Sequence, residues 1–446
     1  MEAQNQSRRS DQRVAVIGLG YVGLPLAIAF ARRGRHVIGI DLDGRKVSQL
    51  NSRSSYIPDV PVAEVAGAVE AGCFEATADY DRLRDRDAIF ICVPTPYDAM
   101  RAPDLSFIVS ATEGIQSRLQ RGQMVILQST TYPGTTEEIV LPILEKSGLK
   151  CGADFDLAFS PERIDPGRTD FTVANTPKVV GGVTPAATQR AAELLGVMGA
   201  PIVPVSSPRA AEMTKLLENI FRSVNIALVN ELARLCERMN IDIWEVINAA
   251  KTKPFGYMPF TPGPGVGGHC IGVDPYYLSW KAREFDFYTR FIELAAEVNQ
   301  SMPFHVIDLT EEALSDIGVP LRGAHVLVLG VAFKRDIDDA RNSPSERIIE
   351  LLMNRGAHVT YHDPYVPRFQ VGGDVFHRTV KSLVSQPLTE ANLKAADCVI
   401  IATGHRSIDY GYVVRHAKAV VDCCNATASV KEERSKIIRL GSGVRG

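Results

Sequence analysis

The sequence predicts an α/β protein in which two doubly wound, parallel-sheet domains are joined by a central all-helical domain. Three observations carry that prediction. Residues 13–41 run strand, glycine-rich turn, helix, strand, acid; residues 324–363 repeat the order without the glycine fingerprint; residues 210–240, between them, carry an apolar pattern of helical period. At 446 residues the chain is too long for one core, and the domains are expected at 1–205, 206–310 and 311–446.

Composition narrows the function classes. A hydrophobic content of 45% with 23% charged residues is that of a globular chain. The net charge of −3 gives no polyelectrolyte signature, which argues against a nucleic-acid partner, whereas a small anionic ligand needs only a few local cations. The cysteines occur singly apart from Cys423 and Cys424, with no C-x-x-C, so no metal site is expected, and free thiols suit a cytoplasmic chain. Arg8, Arg9 and Arg13 before the mostly apolar residues 14–31 imitate an export signal, but three glycines and Pro25 interrupt that run. No other stretch is long and apolar enough to span a membrane.

Arg13 to Ile17 reads as a buried strand leading into Gly18, Gly20 and Gly23 in G-x-G-x-x-G spacing; a helix follows to Arg33, then a second strand from His36 to Ile40 ending at Asp41. Gly18 makes the tight turn, Gly20 lets a pyrophosphate approach, and Gly23 lets helix and strand pack closely. The helix N-terminus offers N–H donors to a diphosphate. Asp41 can accept from ribose hydroxyls, and its charge opposes a 2′-phosphate, so the cofactor expected is NAD.

Further strands are expected at 88–93, 124–128 and 156–159. Ligands of such sheets sit beyond the strands' carboxyl ends, and those ends carry Thr95, then Ser129, Thr130 and Thr131, then Ser160, Glu162 and Arg163. Each alone is an ordinary strand-ending turn; their recurrence points to one crevice.

The helix at 210–240 is apolar nearly all round, which places it in a core or between subunits. Lys215, Asn219 and Arg222 fall at i, i+4 and i+7 on one of its faces. A buried lysine suits acid/base work, while a solvent-facing strip is the plainer alternative. A second helix is expected over 280–299, and the apolar faces of the pair call for a partner, a homodimer at least.

Between these helices Gly263, Gly265, Gly267 and Gly268 lead to His269 and Cys270, with Asp274 four residues on. A thiol at the end of a loop almost without side chains, between a histidine and a carboxylate, has the makings of an activated nucleophile. A mobile glycine–proline loop is the alternative.

The C-terminal echo runs from a strand at 324–330 through a helix at 343–355 to a strand at 357–362 and Asp363. The interval from Gly330 to Asp363 is 33 residues against 23 from Gly18 to Asp41, and the extra ten hold Lys334, Arg335 and Arg341. Without the fingerprint a second NAD is not expected there; the cations suit a phosphorylated ligand. Strands at 398–402 and 419–421 complete the domain.

In this order the motifs resemble the UDP-glucose/GDP-mannose dehydrogenase family over nearly the whole chain. Residues 252–258, His269 with Cys270, and residues 280–294 look nearest to the UDP-N-acetylglucosamine 6-dehydrogenases. The resemblance implies two Rossmann-like domains, the first holding NAD and the last UDP, joined by a helical dimerisation domain. It implies oxidation of a UDP-sugar's 6-hydroxymethyl group to a carboxylate with two NAD per sugar. Cys270 would attack the aldehyde and form a thioester after hydride loss. Lys215 with Asn219 would move a proton or stabilise the oxyanion, and Asp274, Thr130 and Glu162 would handle the hydrolytic water. Tyr21, Val22, Thr95, Thr130 and Arg341 would join the glycines and Asp41 at the cofactor. Glu162, Arg163, Ile164, Lys215, Asn219, Arg222, Gly267, Phe333 and Lys334 would face the substrate. Two positions depart from the family pattern: Pro166 stands where some relatives carry a second glutamate, and Cys423 and Cys424 stand where Thr-Arg is usual. A simple hydroxyacid dehydrogenase would need neither Cys270 nor a second α/β domain, and a lapsed binding protein would not need Lys215, Cys270 and Asp274 together.

Overall fold

The computed structural model describes residues 12–96, 102–164, 170–373 and 379–443, without the side chains of 269–273. The chain forms two compact units. One comprises the residues up to Glu218 together with Tyr276–Phe287; the other comprises Asn219–Pro275 and the residues from Tyr288 onward.

The first unit is built on strands β1 (Arg13–Ile17), β2 (His36–Ile40), β3 (Phe74–Thr77), β4 (Ala88–Ile91), β5 (Met124–Leu127), β6 (Asp156–Phe159), β7 (Lys178–Gly182) and β8 (Ile202–Pro204). Their order in the sheet is β3-β2-β1-β4-β5-β6-β7-β8. The first six are parallel, in the 3-2-1-4-5-6 order of dinucleotide-binding sheets, whose crevice opens where the order reverses between β1 and β4. β7 is antiparallel to β6, and β8 is parallel to β7.

Alternation of side chains explains why β1 is apolar at successive positions. Val14 and Val16 enter a core on one face with Leu24, Ile28 and Phe30 of the helix Gly23–Ala31. Ala15 and Ile17 enter a second core with Ile108, Ala111 and Ile115 of the helix Ser106–Gln116. A strand covered on both faces has no position left for a polar side chain. Residues 14–31, which imitate an export signal by composition, are the centre of this fold.

The second unit carries a parallel sheet of β9 (His325–Leu329), β10 (His358–His362), β13 (Cys398–Ile401), β14 (Val420–Asp422) and β15 (Ile437–Arg439), ordered β10-β9-β13-β14-β15. A hairpin of β11 (Arg368–Val371) and β12 (Lys381–Val384) stands apart from that sheet. Val326 and Val328 of β9 share one core with Ala233 of the helix Pro208–Met239, Trp244 of the helix Ile243–Ala250, and Met302 and Val306 of the helix Arg290–Asp316. β15 and the polypeptide after it fasten that arrangement: Trp244 Nε1 donates to the Leu440 carbonyl at 2.8 Å, the Ile243 N–H to the Gly441 carbonyl at 2.9 Å, and Arg439 pairs with Asp242.

One expected element is broken. Instead of a single helix over 280–299, the helix His269–Ala282 passes through a 3-10 turn at Arg283–Phe285, and a new helix begins at Arg290. Asp286 is left-handed at φ 52°, ψ 39°, a conformation that aspartate tolerates and that cannot propagate a right-handed helix. The long helix Pro208–Met239 is apolar as its sequence reads, yet Phe221, Leu228, Leu232, Leu235 and Met239 are exposed.

Candidate active site

The glycine turn after β1 is shaped from its inner side. Gly18 sits at φ +89°, and a Cβ there would lie 2.6 Å from the Cys92 carbonyl oxygen. A Cβ on Gly23 would lie 1.8 Å from the Gly18 oxygen, so the helix Gly23–Ala31 approaches the turn as only a glycine permits. Gly20 differs, with nothing within 4 Å of where its Cβ would be. Tyr21 is exposed and Val22 half-buried beside it. A turn closed inward and open outward at a helix N-terminus fits the diphosphate of a dinucleotide. Asp41 Oδ2 accepts from the Leu19 N–H at 3.0 Å and from Lys46 Nζ at 3.2 Å. The acid thus braces the glycine turn, and Lys46 offsets part of the charge on which the exclusion of a 2′-phosphate rests.

The other strand ends of this unit are tied by buried polar groups. Thr95 is buried, and its carbonyl accepts from the Tyr277 hydroxyl, which also reaches the Pro96 carbonyl at 3.2 Å. Ser129 Oγ donates to the Val93 carbonyl at 2.7 Å, and Thr130 beside it is half-buried. The loop onward is held by Glu212, fully buried on the helix Pro208–Met239. Its carboxylate accepts from the Gly134 N–H at 2.6 Å, the Thr136 N–H at 2.9 Å and Thr136 Oγ1 at 2.7 Å. Burial pushes the Glu212 carboxyl up, against the pull of these donors. Lys215, three residues further along the helix, is also buried.

Glu162, after β6, is buried and fully occupied as an acceptor. Oε1 takes the N–H groups of Arg163 at 2.7 Å and Ile164 at 3.0 Å; Oε2 takes Gln128 Nε2 at 3.0 Å and Lys178 Nζ at 3.3 Å. Burial alone would raise this carboxyl, but the Lys178 ammonium and the two backbone donors outweigh it and hold it below the usual glutamate range. Arg163 turns to the Pro177 carbonyl at 2.7 Å and to Glu218 at 2.6 Å.

In the second unit Asn219 and Asp274, both buried, meet directly: Asn219 Nδ2 donates to Asp274 Oδ2 at 2.6 Å. Cys270 stands in the first turn of the helix His269–Ala282, four residues before Asp274; its side chain lies outside those described. Arg222, on the stripe with Asn219, is exposed.

The glycine loop packs against the ten-residue insertion of the C-terminal echo. The Gly268 N–H donates to the Arg341 carbonyl at 3.1 Å. A Cβ on Gly267 would lie 2.7 Å from Phe333 Cβ, and one on Gly268, at φ +87°, would lie 2.8 Å from the Phe333 ring. Arg341 itself is exposed and forked onto Asp339 at 2.6 Å, while Lys334 is half-buried. Asp363 closes the turn after β9. Its Oδ2 accepts from the Val331 and Ala332 N–H groups at 2.9 Å each and from His405 Nε2 at 3.2 Å, so the N–H groups of the turn after β9 are already taken. His405 Nδ1 accepts from the Asp336 N–H at 3.0 Å, which fixes the ring proton on Nε2.

Comparison with known proteins agrees with this geometry. Models of the UDP-glucose/GDP-mannose dehydrogenase family match in sequence order: the NAD binding domain at residues 12–197, the central domain at 209–301 and the UDP binding domain at 327–429. The UDP-N-acetyl-D-glucosamine 6-dehydrogenase of Pseudomonas aeruginosa is 38% identical over 401 residues, covering 89% of this chain and 91% of that protein. The structure of a UDP-D-ManNAc dehydrogenase from Pyrococcus horikoshii matches with a TM-score of 0.87 at 33% identity, over 97% of this chain and 100% of that one. That of an NDP-N-acetyl-D-galactosaminuronic acid dehydrogenase from Methanosarcina mazei Go1 matches at 0.81 and 32%, over 99% and 98%. The chain belongs to the UDP-glucose/GDP-mannose dehydrogenase family.

This NAD-dependent nucleotide-sugar dehydrogenase contains polar groups at its strand ends that sequence reasoning missed. Glu212 had a signal, a carboxylate three residues before Lys215 in an apolar helix. Lys178 and Gln128 had none, since an isolated lysine or glutamine on a strand reads as an edge. Of the two departures from the family pattern, Pro166 lies outside the described residues. At the other, Asp422 accepts from the N–H groups of Cys424, Ala426 and Thr427, Cys423 is wholly buried, and Arg439 Nη1 donates to Asn425 at 3.1 Å. Among the described residues no cluster of three or more His, Cys, Asp or Glu could hold a metal, and no helix is long and apolar enough to cross a membrane.

Proposed function

We propose that the chain oxidises the 6-hydroxymethyl group of a UDP-sugar to the carboxylate in two steps, with UDP-N-acetyl-D-glucosamine as the favoured substrate. The observation that carries this reading is the buried Asn219–Asp274 hydrogen bond one helical turn from Cys270. A simple alcohol dehydrogenase needs neither a thiol-bearing residue in that turn nor a carboxylate held one turn further along the helix. NAD supplies the hydride acceptor for each oxidation. Cys270, in the first turn of the helix His269–Ala282, adds to the intermediate aldehyde as the nucleophile. Lys215 and Asn219 handle the proton and the oxyanion of that adduct. Water then cleaves the thioester with the help of Asp274, Thr130 and Glu162, releasing the acid and the Cys270 thiol. Residues 1–205 bind NAD with Gly18, Gly20, Gly23, Asp41 and Thr95. Residues 311–446 bind the UDP, with Phe333, Lys334 and Arg341 contributing.

Similarity to enzymes named for N-acetylglucosamine and for N-acetylmannosamine supports a 2-acetamido sugar. Residues 252–258 and the His269–Cys270 pair favour the former by resemblance. The test is NADH production across UDP-N-acetylglucosamine, its manno and galacto isomers and UDP-glucose, with product mass. Two NADH per sugar and a product heavier by one oxygen and lighter by two hydrogens are expected, with Cys270→Ser forming no acid. One NADH per turnover with a stable aldehyde overturns the reading. The exposed Phe221, Leu228, Leu232, Leu235 and Met239 lie within one narrow stripe of their helix and support a homodimer. Sedimentation of a Leu228→Glu/Leu235→Glu variant tests that: an unchanged molecular mass speaks against the stripe as the interface.

A further inference from the structure

The segment that carries Cys270 is held at both ends by one helix. At its far end Asn219 Nδ2 donates to Asp274 Oδ2; at its near end the Gly263 N–H donates to Asn230 Oδ1 at 3.0 Å. Eleven residues separate Asn219 from Asn230 on the helix Pro208–Met239, and eleven separate Gly263 from Asp274 along the chain. Eleven residues are close to three full helical turns, so the two asparagines lie on one face, about 16 Å apart along the axis. Asn230 is wholly buried, and a second amide fixes its orientation. Its Nδ2 donates to Asn299 Oδ1 at 3.0 Å, and Asn299 Nδ2 donates to the Ser223 carbonyl at 3.2 Å. Two buried amides in series, each with its donor and acceptor engaged, leave Asn230 one way to face. The loop lies against the same support: a Cβ on Gly265, at φ +133°, would be 3.3 Å from the Asn299 carbonyl oxygen. No step of the proposed reaction uses Asn230 or Asn299.

The geometry points to Asn230 as a positioning residue for Cys270: backed by Asn299, it fastens the start of the glycine loop as Asn219 fastens Asp274 at its end, and so sets where the turn bearing Cys270 is held. The inference rests on the reading of Cys270 as the nucleophile of the second oxidation. A nucleophile displaced by about 1 Å can lose on the order of 10²-fold in rate, and a loop rich in glycine has the backbone freedom to move that far once untied. The two oxidations depend on the tether differently. The first, alcohol to aldehyde with one NADH, makes no bond to Cys270. The second requires the Cys270 sulfur to add to the aldehyde before hydride passes to another NAD. The amide pair also joins the helix Pro208–Met239 to the helix Arg290–Asp316. A role confined to that packing would slow both oxidations alike.

The experiment uses the full chain with NAD and the best substrate of the panel above. Wild type, Asn230→Leu and the double Asn230→Leu/Asn299→Leu are compared by Tm, by NADH formed per acid formed, and by NADH formed per site in the first turnover after rapid mixing. Wild type is expected to form two NADH per acid. Asn230→Leu is expected to form the first NADH within about twofold of the wild-type rate and the second roughly 10–100-fold more slowly. One equivalent per site then appears in a fast phase, and NADH per acid exceeds two as aldehyde accumulates. Removing one buried amide leaves its partner unsatisfied, whereas replacing both by apolar side chains of similar shape is far better tolerated. The double variant therefore carries the test if the single one fails to fold, and the same split between the two steps is expected from it. A folded variant with both phases slowed together, or neither slowed, overturns the proposal and leaves the amide pair as packing alone. Failure of both variants to fold overturns it in the same way. Wild-type chain that forms no NADH from any UDP-sugar is a different failure, that of the proposed function, and the inference falls with it.

Discussion

Asn219 reaches across 55 residues of sequence to donate to Asp274 at 2.6 Å, with both side chains buried. An amide in that position fixes how the carboxylate is oriented. Asn219→Ala is expected to lower kcat on the order of 10²-fold, the usual range for one positioned acid–base or oxyanion group. Asn219→Asp puts two carboxylates in contact, which raises the proton affinity of the pair. Its residual activity should therefore climb as pH falls from about 8 to about 6, where one member holds a proton and can again donate. NADH formation at saturating substrate measures both; a flat profile for Asn219→Asp contradicts the contact.

Gly20 and Gly23 of the first turn make separable predictions. Gly20→Ala meets open space, so Tm of the protein without cofactor should stay within a degree or two while KM for NAD rises roughly tenfold or more, since the added methyl occupies the diphosphate's approach. Gly23→Ala drives a Cβ to 1.8 Å from the Gly18 oxygen and should destabilise the first unit by several kcal/mol, as overpacking against backbone does. Thermal unfolding and NAD titration together distinguish the two. Equal loss of Tm in both variants would refute the inward-closed, outward-open turn.

Gly268 combines two restraints. At φ +87° any side chain is strained, by roughly 1–2 kcal/mol, and the new Cβ would meet the Phe333 ring at 2.8 Å. Gly268→Ala should lower stability, and Gly268→Ala/Phe333→Leu should recover the steric part but not the backbone part. A double-mutant cycle in urea reads this as a coupling energy on the order of 1 kcal/mol. Strictly additive effects would mean that the loop and the insertion do not touch in solution.

Asp363 tests the closure of the second glycine-poor turn. Burial would raise its carboxyl, but the His405 hydrogen bond and the N–H groups of Ala332 and Tyr365 bring it below the usual aspartate range. A folded-state value below the unfolded one, about 3.9, means stability that is present above that pH and lost as pH falls through the folded value. Asp363→Asn, which aims an amide N–H₂ at other donors, is expected to cost about 2–4 kcal/mol near neutrality. That penalty should shrink below about pH 4, because the wild-type chain then gives up the same contribution. Urea denaturation of both proteins between about pH 7 and 3 provides the comparison, and a constant gap across the range counts against the assignment.

The fold was legible wherever the signal is short-ranged. Strand, turn, helix, strand and acid at 13–41 fell within a residue or two of the observed elements, because two-sided burial forces near-continuous apolar strands. The single helix expected over 280–299 failed at one residue, Asp286, whose left-handed backbone carries no periodic signal. The exposure of Phe221 and Leu228 was half legible: the apolar pattern named a buried helix or a subunit face, and only coordinates showed those side chains uncovered.

The sequence by itself determined the cofactor half of this protein and the order of its chemical parts. Gly18, Gly20, Gly23 and Asp41 act through contacts within one strand–turn–helix–strand unit, where spacing along the chain fixes geometry. The tertiary structure alone decided what each carboxylate does. Glu162, Glu212, Asp274 and Asp363 are all acids near a loop or a strand end, yet one is clamped by Lys178, one holds the Gly134–Thr136 loop, one receives Asn219, and one fills a turn of its own domain. Their donors come from up to 78 residues away, and a hydrogen bond is made or lost within a few tenths of an ångström, a precision that folding supplies and local pattern does not encode.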